Sequence, residues 1–79
     1  MPPIDPLAPE RLAVVIEDDP EIARLLSAVL TQAGFTCHAA GDGRIGLDLI
    51  RRHDPILTTL DVNLPGMDGF EVARRIRQF

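Results

Sequence analysis

One short stretch constrains the fold more than any other: an apolar run that leads directly into three acids. The run is Leu12–Ile16, which is followed by Glu17, Asp18 and Asp19. An unbroken apolar, β-branched run of this length is typical of a parallel strand that is buried on both faces. Because three adjacent carboxylates repel one another, each of them needs solvent, a helix N-terminus or a cation.

After Pro20 the apolar period changes from that of a strand to that of a helix. Apolar residues recur at spacings of three and four, as on one face of an amphipathic helix: Ile22, Leu25, Leu26, Val29, Leu30 and Ala33. Asp19 is placed to cap this helix, Pro20 suits its first position, and Gly34 ends it. Capping therefore explains Asp19 and leaves Glu17 and Asp18 to be explained.

Two further strand–helix units follow. Residues 35–40 alternate in polarity as an edge strand does, and the helix after them has Asp42 as its cap and Gly46 as a weak point. Residues 56–60 form a third strand, which ends at Asp61 and precedes a third helix capped by Asp68. Repeated strand–helix units predict a three-layer α/β domain with a parallel sheet, and the fully apolar first strand belongs in its centre.

The acids at the strand ends predict a cation site. Ligand sites of parallel sheets form beyond the carboxyl ends of the strands. If the first and third strands are neighbours, Glu17, Asp18 and Asp61 converge there, and Mg²⁺ suits three carboxylates with room for water. A carboxylate beside Mg²⁺ can attack phosphorus, so the residues predict a Mg²⁺-dependent phosphoacceptor aspartate.

Three segments carry a family resemblance: VVIEDDPEIARLL, AAGDGRIGL and LDVNLPGMDGFEVARRIR. Together they resemble the receiver domain of two-component response regulators. The resemblance implies a flavodoxin-like (CheY-like) sheet of order 2-1-3-4-5 in a signalling protein that is not an enzyme. It also implies that a histidine kinase or phosphotransfer protein phosphorylates Asp61. Mg²⁺ would be held by the side chains of Asp18 and Asp61, by the backbone carbonyl of Asn63 and, through water, by Glu17.

The chain departs from the family pattern in length. Receivers have five strand–helix units, whereas residues 11–79 contain three, after a proline-rich arm at residues 1–10. The hydroxyl residue after the fourth strand and the lysine after the fifth are absent, and the chain contains no lysine. We therefore expect an N-terminal part of a receiver with impaired phosphorylation. We also expect a homodimer formed through the exposed edge of the third strand.

Two alternatives use some of the same residues. Gly41, Gly43 and Gly46 match the G-x-G-x-x-G fingerprint of a dinucleotide-binding Rossmann half-domain, with Asp61 at the position of the ribose acid. This reading leaves Glu17 and Asp18 unexplained. The other alternative is a Mg²⁺-dependent phosphatase of the haloacid dehalogenase type, which also has an aspartate nucleophile. That family has a second acid two positions after the nucleophile, where this chain has Asn63.

Composition excludes several partners and locations. A net charge of −4 argues against direct nucleic-acid binding, and no apolar run is long enough to span a membrane. A single cysteine fits a cytoplasmic location. His38 is expected on the polar face of its strand and His53 near a helix end. Neither has a second metal ligand at a suitable spacing in the sequence, so both are expected to be structural. The output domain, its regulated process, the cognate kinase and the signal are not encoded in these residues.

Overall fold

The computed structural model describes residues 10–61, 64 and 68–78 of the chain. Its elements alternate strictly between strand and helix, as the sequence predicts. They are β1 (Leu12–Ile16), α1 (Pro20–Gln32), β2 (Thr36–Ala40), α2 (Gly43–His53), β3 (Leu57–Leu60) and α3 (Gly69–Ile76). Residues 1–9 of the predicted arm and the predicted ligand Asn63 lie outside the described residues.

The three strands form a parallel sheet of order β2-β1-β3. At its carboxyl end, Ile16 of β1 lies opposite Ala40 of β2 on one side and Leu60 of β3 on the other. The predicted central position of β1 is therefore confirmed. Val14 and Val15 are completely buried, because β1 is paired along both edges and covered on both faces.

Aspartate side chains cap the three helices, as predicted. Asp19, Asp42 and Asp68 each accept a hydrogen bond from a backbone N–H in the first turn of α1, α2 and α3, at 2.9, 2.8 and 2.9 Å. Such bonds satisfy N–H groups that have no partner within the helix. At the other end of α1, Gly34 has a φ of +97°, a left-handed conformation that ends the helix at little steric cost.

The helices lie on both faces of the sheet, which confirms the three-layer architecture. On one face α2 and α3 pack against β1. The buried core of this face comes from these three elements and from Leu64, which precedes α3: Val14, Ile16, Leu47, Ile50, Leu64 and Val72. On the other face α1 packs against β1 and β2. There the Cys37 thiol of β2 lies 3.8 Å from the carbonyl oxygen of Ser27 in α1.

The predicted apolar stripe of α1 is only partly buried against the sheet. No residue of this helix is buried, and Ile22, Leu25 and Val29 are 45%, 64% and 58% exposed. Leu26 and Leu30 are half-buried. The physical reason is that α1 is the one described element on this face, above β1 and β2, so only part of its stripe meets the sheet.

Gly46 lies inside α2 because the helix approaches β1 closely. A Cβ atom at this position would lie 2.4 Å from Cδ1 of Ile16. A glycine that lowers helix propensity is therefore retained by packing, not by a requirement of the helix backbone.

Candidate functional site

The site lies at the carboxyl ends of β1 and β3. The sheet pairing continues one residue past the strands: Asp61 donates its backbone N–H to the carbonyl oxygen of Ile16, at 3.0 Å. Glu17 likewise donates its N–H to the carbonyl oxygen of Ala40, at 3.0 Å. These two bonds place the backbones of Asp61 and Glu17 side by side at one end of the sheet.

Three of the predicted site residues come together here. One carboxylate oxygen from each of Glu17, Asp18 and Asp61 lies within 4.8 Å of the other two. Glu17 and Asp61 are half-buried, whereas Asp18 is exposed. The fourth predicted ligand, Asn63, lies outside the described residues.

A backbone hydrogen bond and the neighbouring carboxylates of the cluster change the pKa of Glu17. The backbone N–H of Asp19 donates to its carboxylate at 3.2 Å, which by itself would lower the pKa of Glu17. Partial burial, the negative charge of Asp61 and side-chain hydrogen bonds with Asp61 and Asp18 outweigh this bond. The pKa of Glu17 is therefore raised above its ordinary value of 4.5, as expected where carboxylates crowd together without a cation.

The donor set fits a hard divalent cation. All three side chains offer carboxylate oxygens, which Mg²⁺ prefers, and the exposed side of the cluster at Asp18 leaves space for the waters that Mg²⁺ retains. Asp19 does not belong to this group, because its carboxylate accepts the N–H of Glu21 at the start of α1. The three consecutive acids thus divide into two at the site and one at a helix cap.

The glycines of the dinucleotide alternative are placed differently from a Rossmann fingerprint. They follow β2, which is an edge strand, whereas a fingerprint normally follows a central one. Gly46 packs against Ile16, and a Cβ added at Gly41 would meet no atom within 4 Å. The geometry therefore favours the acidic cluster as the candidate site.

Sequence reasoning missed one contact between polar residues. The rings of His38 in β2 and His53 at the end of α2 are stacked, with centroids 4.1 Å apart and planes inclined by 12°. His38 was expected only on the polar face of its strand, and α2 packs on β2, so this face meets His53. No local pattern signals this contact, since it depends on how α2 returns across the sheet.

Within the described ranges, no helix has both the length and the apolar character needed to cross a membrane.

Comparisons with known proteins identify the family. The profile of the response regulator receiver domain matches residues 13–79. The chain is 49% identical over 65 residues to the transcriptional regulatory protein AfsQ1 of Streptomyces coelicolor, covering 82% of this chain and 29% of that protein.

Solved receiver structures have the same fold. The BeF3-activated N-terminal receiver domain of Klebsiella pneumoniae RstA matches with a TM-score of 0.79 and 34% identity, over 85% of this chain and 57% of that one. The chemotaxis protein CheY4 of Vibrio cholerae matches with a TM-score of 0.83 and 28% identity, over 89% of this chain and 58% of that one.

The chain therefore spans less than a third of AfsQ1 and a little over half of these two solved chains. Receiver domains are signalling proteins that interact with histidine kinases or phosphotransfer proteins, and they use Mg²⁺ at an acidic pocket. The acidic cluster of this chain lies in the matched region, which includes all three helices. The chain belongs to the response regulator receiver domain family.

Proposed function

We propose that Asp61 accepts a phosphoryl group from a histidine kinase or phosphotransfer protein. Mg²⁺ would be held by the side chains of Asp18 and Asp61, by the backbone carbonyl of Asn63 and, through water, by Glu17. The observation that carries this proposal is the convergence of the three carboxylates at one end of the sheet. Asp61 is the member that follows β3, and its backbone is held by the hydrogen bond to Ile16. Its half-buried position limits competing contacts with water.

In the transfer step a carboxylate oxygen of Asp61 attacks phosphorus and forms a P–O bond. The P–N bond of a phosphohistidine donor breaks, and the imidazole leaves with the bonding electron pair and takes up a proton. Mg²⁺, when bound, offsets the negative charge of the phosphoryl oxygens and of the attacking carboxylate. Glu17 and Asp18 provide the remaining negative charge that retains the cation.

We expect the 79-residue chain to accumulate little acyl phosphate. The resemblance implies a lysine that binds the phosphoryl group in complete receivers, and this sequence has no lysine. A loss of one charge-assisted contact of this kind costs about 1.5–3 kcal/mol, which lowers the yield without changing the site of modification.

Incubation with acetyl phosphate and Mg²⁺, followed by intact-mass measurement and trapping of the acyl phosphate, tests the proposal. We expect a modified fraction that Asp61→Asn and a chelator both abolish. Asp54→Asn is the matched control, because Asp54 caps the C-terminus of α2 in a left-handed conformation that asparagine also favours. Modification that persists in Asp61→Asn, or that a chelator leaves unchanged, would contradict the assignment.

We also propose that two copies of this chain associate through β3. In the described part of the sheet β3 is paired only with β1, and the strand itself contains no charge or proline of the kind that prevents edge pairing. Ile56, just before it, and Leu57, its first residue, are 66% and 36% exposed. Edge-to-edge pairing or exchange of an element would cover these side chains.

Light scattering across a dilution series measures this association. We expect a dimer that Leu57→Lys weakens, because a charge beside the edge opposes pairing. Leu25→Lys is the control, since it adds the same charge at an exposed apolar position on α1. A monomer at every concentration, or equal weakening by both variants, would show that β3 is not the interface.

A further inference from the structure

A shallow groove lies between α2 and α3, away from the carboxylates of the acidic cluster. Its volume is about 420 Å³. The lining residues are Arg44, Ile45, Leu47, Asp48, Arg51 and Arg75. Three of these six side chains carry a guanidinium group, which is unusual for a chain whose net charge is −4. We call this surface the α2–α3 groove.

The charge of the chain is distributed unevenly around this groove. Six of the eight arginines lie within residues 43–53 and 69–77, which contain α2, α3 and Arg77, the C-terminal cap of α3. The same two ranges contain two acids, Asp48 and Glu71, and the capping acids Asp42, Asp54 and Asp68 lie immediately outside them. The lining of the groove itself carries three arginines and one acid, Asp48. The groove is therefore a basic region on an acidic protein, and it attracts anionic groups at short range.

Ion pairs within the helices engage both acids. Asp48 pairs with Arg52 at 2.9 Å, one turn further along α2. Glu71 pairs with Arg74 and with Nε of Arg75, the latter at 3.0 Å. Among the described residues, Arg44 makes no ion pair. Arg44 can therefore receive a carboxylate without losing an existing partner, and Arg75 has terminal nitrogens that its pair with Glu71 does not use.

The groove also offers an apolar contact. Ile45 is 50% exposed at its edge, and Leu47 is buried beneath it. Arg44 and Arg51 are seven residues apart in α2, so they lie on the same face of the helix, about 10 Å apart along its axis. A short segment that lies along α2 can contact both the apolar edge and the guanidinium groups.

We propose that the α2–α3 groove binds an acidic peptide segment of a partner protein, with carboxylates at Arg44 and Arg75 and an apolar side chain against Ile45. A peptide fits these features better than a nucleic acid. The carboxylate of Asp48 interrupts the row of arginines that a continuous phosphate backbone would need, and a phosphate backbone offers no apolar group to Ile45. The proposal does not depend on phosphorylation of Asp61.

Titration of the isotope-labelled 79-residue chain with a short capped peptide of glutamates interrupted by leucines tests the proposal by NMR. We expect the largest amide shifts in α2 and α3. Arg44→Glu should weaken binding by about fivefold, and the double change with Arg75→Glu by about tenfold or more. A higher salt concentration should weaken binding further, because the contacts lie at the surface.

Arg24→Glu is the matched control, because it makes the same change of charge on α1 and should alter affinity by less than about twofold. Arg44→Glu is the decisive variant, since a glutamate in the first turn of α2 suits the helix dipole and breaks no ion pair with a described residue. Replacing the leucines of the peptide by serine should also weaken binding. Absence of binding, equal effects of Arg24→Glu and Arg44→Glu, or tighter binding of a single-stranded oligonucleotide would overturn the proposal.

Discussion

The two faces of the sheet differ in how completely their helices bury apolar side chains. On the α2–α3 face, Ile16 and Val72 are at most 1% exposed, and Leu47 is 5% exposed. On the opposite face, the apolar residues Ile22, Leu25 and Val29 of α1 remain about half exposed or more. The helices on both faces have an amphipathic pattern, so the pattern alone does not determine burial.

The difference shows what a second helix contributes. A helix on a sheet buries the side chains directly beneath it, but those on its flank need a neighbour. α2 and α3 pack against each other and bury Leu47 and Val72, although Ile45 and Phe70 stay exposed. α1 stands alone among the described elements of its face, so the flank that carries Leu25 stays in solvent.

The largest expected effect comes from a matched pair of leucines. Leu47→Ala should lower the free energy of unfolding by about 2–5 kcal/mol, because it leaves a cavity in the core. Leu25→Ala should cost less than about 0.5 kcal/mol, because the side chain is already largely in water. Urea unfolding at low protein concentration measures both values. Equal losses would mean that a contact with another molecule buries α1, and the comparison of the two faces would fail.

A matched pair of glycines sharpens the comparison at the close contact between α2 and β1. Gly46→Ala should destabilise the protein by about 1–3 kcal/mol, although alanine favours a helix, because its methyl group would overlap Ile16. Gly41→Ala, which meets no atom within 4 Å, should change stability by less than about 0.5 kcal/mol. Thermal unfolding of both variants measures the two changes in stability. A stabilising Gly46→Ala would show that α2 can move away from β1 at little cost.

The smallest expected effect is the change in melting temperature on substitution of Glu17, at the carboxyl end of the sheet. Because the folded-state pKa of Glu17 is raised, its ionisation destabilises the fold as pH rises through that pKa. Without metal, Glu17→Gln should therefore slightly raise the melting temperature at neutral pH. The gain should disappear below the ordinary glutamate pKa of 4.5, where both side chains are neutral.

In the presence of Mg²⁺, Glu17→Gln should lower the melting temperature relative to the unchanged protein, instead of raising it. A cation that binds only the folded protein stabilises it by an amount that grows with its concentration over its dissociation constant. Glu17→Gln removes the negative charge that is proposed to hold the cation through water, so the melting temperature should rise less on addition of Mg²⁺ than it does for the unchanged protein. The same Mg²⁺-induced rise in both proteins would argue against a role of Glu17 in metal binding.

Local signals were sufficient for the elements and their ends. The caps at Asp19, Asp42 and Asp68 were predictable because each depends on one carboxylate and a backbone N–H two or three residues later. The prediction that Glu17, Asp18 and Asp61 meet needed one more premise, that the first and third strands are neighbours. The apolar character of Leu12–Ile16 supported this premise, since only a central strand is buried on every side.

The sequence by itself determined the order of strands and helices, their caps and the acids at the strand ends, because these follow from hydrogen bonds and side-chain periodicity within a few residues. Tertiary structure decided which apolar residues of α1 stay exposed, why Gly46 is needed and that His38 stacks on His53. These features depend on how closely and at what position one element packs on another. This packing depends on contacts between segments that are far apart in the sequence, so no local pattern of residues predicts it.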